Sequence, residues 1–466
     1  MTATKSIKSP NSPAFLQLIK WIVDPLGYMN SAVRNCGDIF AAKVFRGGEL
    51  VYVSHPEAMK VILTRDTKEL FAPGEINQIF KPLLGNYSII LMSSARHQRE
   101  RKLLMPPFHG TQIQNYAQLI VNLTEQVMNQ LTPGENFTAR GKMQEISLQV
   151  IIEAVFGLHE GENYRKLSKL ITEMFELFSS PATSAFLFFP WLQKDWGVWS
   201  PWGNFLSQQR QIDEIIYAEI KARRANPDPH RNDILTLLLA ARDEAGEPMT
   251  DTELRDELLT LLFAGHETTA TAMAWSLYWV HRFPEIKQKL LAELASLGEN
   301  PDPMAIYRLP YLTAVCQETL RIYPVGMLTF PREVISPIKI MNHEFEPGTV
   351  LIGSIYSTHQ REDLYPEPHK FKPERFLERQ YSAYEYLPFG GGARRCIGYA
   401  LAEMEMRLVL ATILANYQLD LATQKPVKPA RRGLTLAPAG GVKMVMKSKQ
   451  KISNNCNEPI VSRRQL

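Results

Sequence analysis

Cysteine is scarce in this chain. Only Cys36, Cys316, Cys396 and Cys456 occur in 466 residues. Their wide, irregular spacing excludes a CxxC pair and a zinc pattern. A disulfide framework is unexpected in so long a chain, so a reducing, cytoplasmic compartment is the expectation. Net charge is also small, +4. That is too weak for a nucleic-acid binder and leaves a small acidic protein or a charged cofactor as the partner of any basic patch. Neither GxxxxGK[ST] nor GxGxxG occurs, so phosphate-loop chemistry has no carrier. Repeats, low-complexity tracts and linkers are missing. Long apolar runs are missing too: the longest uncharged run, 177–193, has 17 residues and is broken by Pro181 and Pro190. The N-terminal "MTATKSIKSPNSPAF" has no apolar centre, so no signal peptide is expected. The expectation is a soluble protein with no integral membrane anchor. Trp191, Trp196, Trp199 and Trp202 are four of the seven tryptophans. Such a cluster serves equally as the packing of a loop-rich lid or as a brief contact with a membrane surface.

What is present is an ordinary globular mixture, 45% hydrophobic and 21% charged, able to build a large core. "IFAAKVFRGGELVYVS" alternates around Gly47-Gly48 and predicts a β-hairpin. "HPEAMKVILTR" predicts a helix, and residues 97 to about 330 are mostly helical in pattern. "IKIMNHEFEPGTVLIGS" returns to strand and turn. "IGYALAEMEMRLVLATILANY" predicts a long amphipathic helix. The fold class is therefore mainly α with small β-sheets near both ends. One domain is expected over 1–466, with a core at about 20–445 and a polar, basic, poorly ordered tail from about 446.

"FGGGARRCIG", residues 389–398, concentrates chemistry. Three glycines in a row cost chain entropy, yet they let a flat group lie close to backbone. Cys396 follows them at the start of a helix, where unpaired N–H groups and partial positive charge favour thiolate. Phe389 is placed to shield the sulfur. Arg394 and Arg395 supply charge for anionic substituents. One thiolate is too few for zinc or an iron–sulfur cluster. It suits haem. The segment resembles the haem-binding signature of the cytochrome P-450 family, Phe-Gly-x-Gly-x-Arg-x-Cys-x-Gly, and matches it at every fixed position, including Gly398.

Other segments match that family in order and spacing. "ETLR" sets Glu318 and Arg321 on one helix face. Alone, such a pair is usually a solvated surface pair worth little. With "FKPERF" following, it resembles the family's buried Glu-Arg-Arg cluster, Arg375 being the third member. "HQRERKLLMPPFHG" resembles the haem-contacting helix, with His97 where Trp is commoner. His97, Arg101, Arg332 and Arg394 are the implied partners of the haem propionates. "AGHETT", residues 264–269, lies inside one long predicted helix of roughly 30 residues. Thr250 and Glu253 form its expected capping box, and Pro284 marks its end. A charged Glu in an apolar stretch is unexpected. Its plain reading is a partial turn to solvent, with the Thr hydroxyls bonded one turn back. The resemblance implies an acid–alcohol pair instead: Thr268 hydrogen-bonds dioxygen, Glu267 helps relay protons, and Gly265 permits a local helix distortion.

The resemblance implies the cytochrome P-450 fold, with haem b buried between the long central helix and the helix after the cysteine loop. It implies a haem-thiolate monooxygenase that inserts an atom of dioxygen into a C–H bond. Two alternatives stand beside it: a peroxide-using peroxygenase or rearrangement enzyme, against which an intact Glu267-Thr268 pair speaks, and a non-enzymatic haem sensor. No flavin or nicotinamide module is seen after Cys396, so electrons are expected from a separate ferredoxin or flavodoxin. A monomer is expected. By resemblance the substrate pocket draws on the 72–92 loop and on Leu262, Phe263, Ala264, Val325, Met327, Leu328, Leu434 and Leu436. These are apolar, so a lipophilic substrate, a fatty acid or a terpenoid, is implied. The 177–202 segment is expected to form part of a mobile lid.

Overall fold

Alternating apolar residues produce the predicted hairpin: strand Ile39–Phe45 pairs antiparallel with Gly48–Val53, Ile39 opposite Val53. The computed structural model describes residues 7–45, 48–66, 68–177, 190–228, 230–433 and 435–449. Gly48–Val53 then runs parallel to Val350–Gly353, with Leu50 opposite Val350. Arg332–Val334 lies antiparallel on the other side of Val350–Gly353, and Leu70–Phe71 closes this five-stranded sheet. A three-stranded sheet joins Asn136–Thr138, Lys443–Lys449 and Tyr417–Leu421. The strand to Lys449 carries pairing past the expected core limit near 445, with Ser448 opposite Gln418. Residues 450–466, including Cys456, lie outside the described residues.

The helices that frame the interior and its flank are α1 (Ala14–Val23), α2 (Ser94–Leu104), α3 (Ala139–Phe156), α4 (Pro201–Ala225), α5 (Asp251–Arg282), α6 (Pro310–Ile322) and α7 (Tyr399–Asn416). α5 has 32 residues, about 48 Å of axis. Its start is the predicted capping box: Thr250 Oγ1 accepts from the Glu253 N–H at 3.2 Å, and Glu253 Oε2 accepts from the Thr250 N–H at 2.8 Å. It stops at Arg282, just before Pro284 opens the next helix. α5 packs along α3 and against α6 and α7.

α7 differs from the expected amphipathic helix. Every residue from Met404 to Leu414 is buried. Neighbouring helices cover it on several sides, so it has no solvated face to be polar on. The main core cluster runs through α3, α5, α6 and α7. Smaller clusters fill the five-stranded sheet and the space under the N-terminal helices.

Candidate active site

The cysteine loop owes its shape to glycine. Gly390 and Gly392 have φ of 67° and 65°, which disfavours any side chain. A Cβ on Gly392 would also meet Leu63 O at 2.5 Å, and one on Gly391 would meet Leu63 Cδ1 at 2.7 Å. The glycines therefore let the loop press against the end of helix Pro56–Thr64 and against Arg332. The Cys396 N–H closes the loop on Phe389 O at 3.0 Å. The Phe389 ring packs on the main core, tilted against Tyr399 at 6.1 Å. Gly398 caps α7.

Cys396 is accessible by surface area, yet protein encloses it deeply. Burial pushes its thiol up, and the Gly398 N–H, Arg101 and Arg395 pull it back down without prevailing. Desolvation of the anion thus outweighs one backbone N–H and two cations. A metal bound at the sulfur would supply the missing stabilisation of thiolate.

α5 carries an open strip of its own. This helix is buried all round from Leu254 to Thr260 and again from Thr269 to Val280. Between those stretches Ala264 is exposed, while Leu261, Gly265 and Thr268 are half-buried. Spacing of three and four residues puts them on one strip. Thr268 Oγ1 donates to Ala264 O at 2.6 Å, bonding one turn back within the strip. The expected distortion at Gly265 is not seen: the helix is continuous there. Instead, a Cβ on Gly265 would meet Ile151 Cδ1 at 3.0 Å, so the glycine permits α3 to pack closely.

Glu267 leaves this strip. Its Oε1 pairs with Arg140 Nη2, its Oε2 accepts from Gln144 Nε2 at 2.8 Å, and Arg432 Nε stands at 4.0 Å. The carboxylate is thus held on the α3 side. Sequence reasoning missed Arg140, Gln144 and Arg432. It also missed Glu405, a buried α7 carboxyl that burial pushes up to about 8, opposed by a hydrogen bond with Ser147. Ser147 Oγ in turn reaches Gly265 O at 3.4 Å.

Four cationic or imidazole groups converge beside the loop. Burial first, then Arg394, Arg101 and Arg332, hold His97 down to about 3. Burial first, then Arg332 and Arg101, bring Arg394 down to about 10 against the opposing pull of Asp66 and Glu75. Arg332 is fully buried and spends itself on Asp66 in a two-point ion pair, on Phe330 O at 2.8 Å and on Gly391 O at 3.2 Å. Arg101 Nη1 donates to Arg395 O at 2.7 Å. Arg394 binds the carbonyls of Ile89 at 3.0 Å and Ala72 at 2.7 Å, tying the cysteine loop to the 72–92 segment. Its buried Nε has no hydrogen-bond partner among the described residues. An orphaned guanidinium donor amid like charges fits an anionic group, as two propionates of a haem would provide.

The Glu-Arg-Arg cluster forms as expected. Glu318 accepts from Arg321 Nε at 2.6 Å and Nη2 at 2.8 Å, from Arg375 Nε at 3.2 Å and from the Lys372 N–H at 2.8 Å. All three charged side chains are buried.

The expected pocket residues divide. Phe263 stands against Phe80 at 6.2 Å, joining the 72–92 segment to Ala264's neighbourhood. Val325 O accepts from the Leu436 N–H at 3.0 Å. Leu262 is fully buried in the core and lies on the far side of α5 from Ala264. Met327 and Leu436 are buried in the cluster under the N-terminal helices, with Leu328 at its margin. Leu434 and residues 178–189 of the expected lid lie outside the described residues. Within that expected lid, Trp202 is buried against Phe205 at 5.0 Å, while Trp191, Trp196 and Trp199 are exposed.

The sequence model of the family described as Cytochrome P450 matches residues 8–444. Cytochrome P450 135B1 of Mycobacterium bovis is 31% identical over 97% of this chain and 94% of its own. Cytochrome P450 135A1 of Mycobacterium tuberculosis is 32% identical over 93% of each chain. The solved structure of retinoic acid bound cyanobacterial CYP120A1 superposes with a TM-score of 0.81, covering 96% of this chain and 100% of that one at 22% identity. Among the described residues no helix is long and apolar enough to cross a membrane. By the family model and by these relatives, this chain belongs to the cytochrome P450 family of haem-thiolate monooxygenases.

Proposed function

We propose that Cys396 is the protein's sole ligand to haem b, and that the α5 strip around Ala264 and Thr268 forms the opposite, oxygen-handling wall. The observation that carries this reading is an accessible thiol set deep behind the glycine loop, beside an open, hydroxyl-bearing strip in the otherwise buried middle of α5. Thiolate-ligated haem supplies the activation of dioxygen. The chain supplies the rest. Arg101 and Arg394, with His97 as a neutral donor, hold the propionates; Arg332 braces the loop through Gly391. Thr268 holds a proton at Oγ1 beside the Ala264 carbonyl. Glu267 serves as the ionisable member of the relay once released from Arg140.

The substrate is a lipophilic molecule, a fatty acid or a terpenoid. Phe80, Phe263, Ala264, Val325 and Leu328 offer it aliphatic and aromatic contact without a charge. Retinoic acid, an isoprenoid acid, is the ligand named for the cyanobacterial structure, and it falls in this class. Electrons come from a separate ferredoxin or flavodoxin. Exposed Arg395 in the cysteine loop suits an acidic donor of that kind. The chain acts as one domain and as a cytoplasmic monomer.

Two spectra test this. The reduced carbon monoxide complex is expected to show the strongly red-shifted band of thiolate ligation, lost in Cys396→Ser and kept in Cys36→Ser and Cys316→Ser. A red-shifted band surviving in Cys396→Ser would sink the assignment. A panel of fatty acids and terpenes is then scored by the shift of the haem absorption band on displacing water. Shifts with polar or cationic ligands alone would refute the substrate class.

A further inference from the structure

One carboxyl group lies deep in this protein with nothing bonded to it. Glu257, in the second turn of α5, is fully buried, and neither of its oxygens has a hydrogen-bond partner among the described residues. Glu100, on α2, is buried as well, and its Oε2 is equally unpartnered. The cations around them are occupied. Arg99 is spent on Glu100, on Asp243 at 2.6 Å and on Glu253 at 3.4 Å. Arg255 is spent on Asp213 of α4 at 2.6 Å and on Asp256 at 2.8 Å. Arg96 stands over the Tyr87 ring at 4.8 Å. Asp213, Asp243, Glu100, Glu253, Asp256 and Glu257 thus outnumber these guanidinium groups. An ionised carboxylate is expensive to bury without a counter-charge, a neutral acid much less so. Burial first, then Glu100, with Asp256 and Glu253 behind it, push Glu257 well above the usual carboxylate range against the pull of the Ile89 N–H.

Residues 85–92 lie across this cluster. The Tyr87 N–H donates to Asp256 Oδ2 at 2.8 Å, and Ser88 Oγ lies 2.8 Å from Thr260 Oγ1. A Cβ on Gly85 would stand 2.2 Å from the Asp256 carboxylate, so only glycine lets the segment come this close. The Ile89 peptide is gripped from both sides. Its carbonyl accepts from Arg394 Nη1 at 3.0 Å, and its N–H acts on Glu257. One peptide therefore joins the unbonded acid to the guanidinium that stands beside the cysteine loop.

We propose that Glu257, kept as a neutral acid beside the Glu100 carboxylate, latches residues 85–92 in place, and that loss of its proton releases the Ile89 peptide and with it one tie on Arg394. As the segment lifts, water reaches the acid and takes the proton. The surplus of negative charge then opposes closing. Closing takes up a proton at any pH above the ordinary carboxylate range. The closed segment therefore loses stability as pH rises, until Glu257 ionises even when covered. Glu257 and Glu100 are positioning residues, acting on the site through Arg394 and the 72–92 segment. The consequence for haem and substrate rests on the function proposed above; the latch itself does not.

The test is amide hydrogen exchange of the full-length, haem-loaded, substrate-free chain from pH 6 to 9. Each rate is divided into the intrinsic rate at that pH to give a protection factor. Protection at Tyr87, Ile89 and Ile90 is expected to fall with pH, by up to about tenfold per pH unit, the slope of one proton. Amides of α6 in the same sample report global opening and are expected to fall less. Glu257→Gln keeps the neutral shape, so its profile is expected to be flat where the parent's falls. Glu100→Gln removes the like charge, so its fall is expected to begin at lower pH. A parent whose 87–90 amides keep pace with α6 at every pH overturns the proposal. So does a Glu257→Gln profile that falls with the parent's, which would assign the titration to another acid. If Glu257→Gln does not load haem, Glu100→Gln decides, and an unmoved profile overturns the latch. The carbon monoxide band of each sample reports the haem reading separately.

Discussion

Glu318→Gln is nearly isosteric, so it opens no cavity and isolates the loss of one buried charge. In the parent, that carboxylate answers two guanidinium groups and one backbone N–H within 3.2 Å. Arg321 is fully buried and Arg375 nearly so. The remaining charges cannot reach water without local opening. Breaking a buried pair by removing one partner costs about 3–5 kcal/mol. For 466 residues, an unfolding entropy of about 2.1 cal/mol/K per residue gives about 1 kcal/mol/K, so the melting temperature should fall by about 3–5 °C. The damage should also reach the haem. Arg321 Nη1 donates to His359 O at 2.8 Å, His359 Nε2 accepts from the Leu387 N–H at 3.0 Å, and Leu387 O accepts from the Gly390 N–H at 2.9 Å. That chain of bonds ends inside the cysteine loop. The assay is haem absorbance per protein, together with thermal unfolding, for Glu318→Gln and for Arg379→Ala. Arg379 forms a half-exposed pair with Glu385, worth under about 1 kcal/mol. Glu318→Gln should lose much of its haem and Arg379→Ala should not. Full haem content and a melting temperature within about 1 °C of the parent would refute the reasoning that the network braces the loop.

Thr268→Ala should keep haem and substrate binding while product formed per electron consumed drops several-fold and hydrogen peroxide rises. Thr269→Ala, buried behind the strip, should change this ratio less, and a fully coupled Thr268→Ala would remove the hydroxyl from the mechanism. Glu405 predicts a pH dependence. Its carboxyl titrates near 8 when folded against an ordinary 4.5, so between those values the unfolded chain binds fewer protons than the folded one. Its contribution to stability therefore falls as pH rises from about 4.5 to about 8, by up to a few kcal/mol, and is flat outside that window, while His97, His266, His281 and His359, held neutral by burial, tilt stability the other way. Glu405→Gln should remove this slope and gain on the parent most at pH 8. Parallel stability curves for the two proteins from pH 5 to 8 would refute the burial account.

The parts of the site legible in the sequence are those that local spacing specifies. A glycine run before one cysteine, a Thr-x-x-Glu cap and a Pro two residues past α5 each act within a few residues. All three stand where expected. Glu318 and Arg321 share a helix turn, so half of their network was local as well. Leu262 could have been excluded by the same arithmetic. Helical phase sets it opposite Ala264, and the structure buries it there. What could not be read depends on chain crossings. Glu267 is paired by Arg140 and Gln144 from α3, more than a hundred positions away, and no periodicity signals which carboxylate they will meet. The surroundings of the Cys396 thiol were hidden for a related reason. A helix terminus is visible in sequence and lowers a pKa, whereas depth of burial is a property of the packed whole and raises it more. The same blindness applies to α1. Its composition looks like a core helix, and only the structure reveals that Gln17 and Trp21 take the inward positions while the aliphatic side chains face out. Periodicity identifies one face of a helix, but it cannot say which medium that face meets.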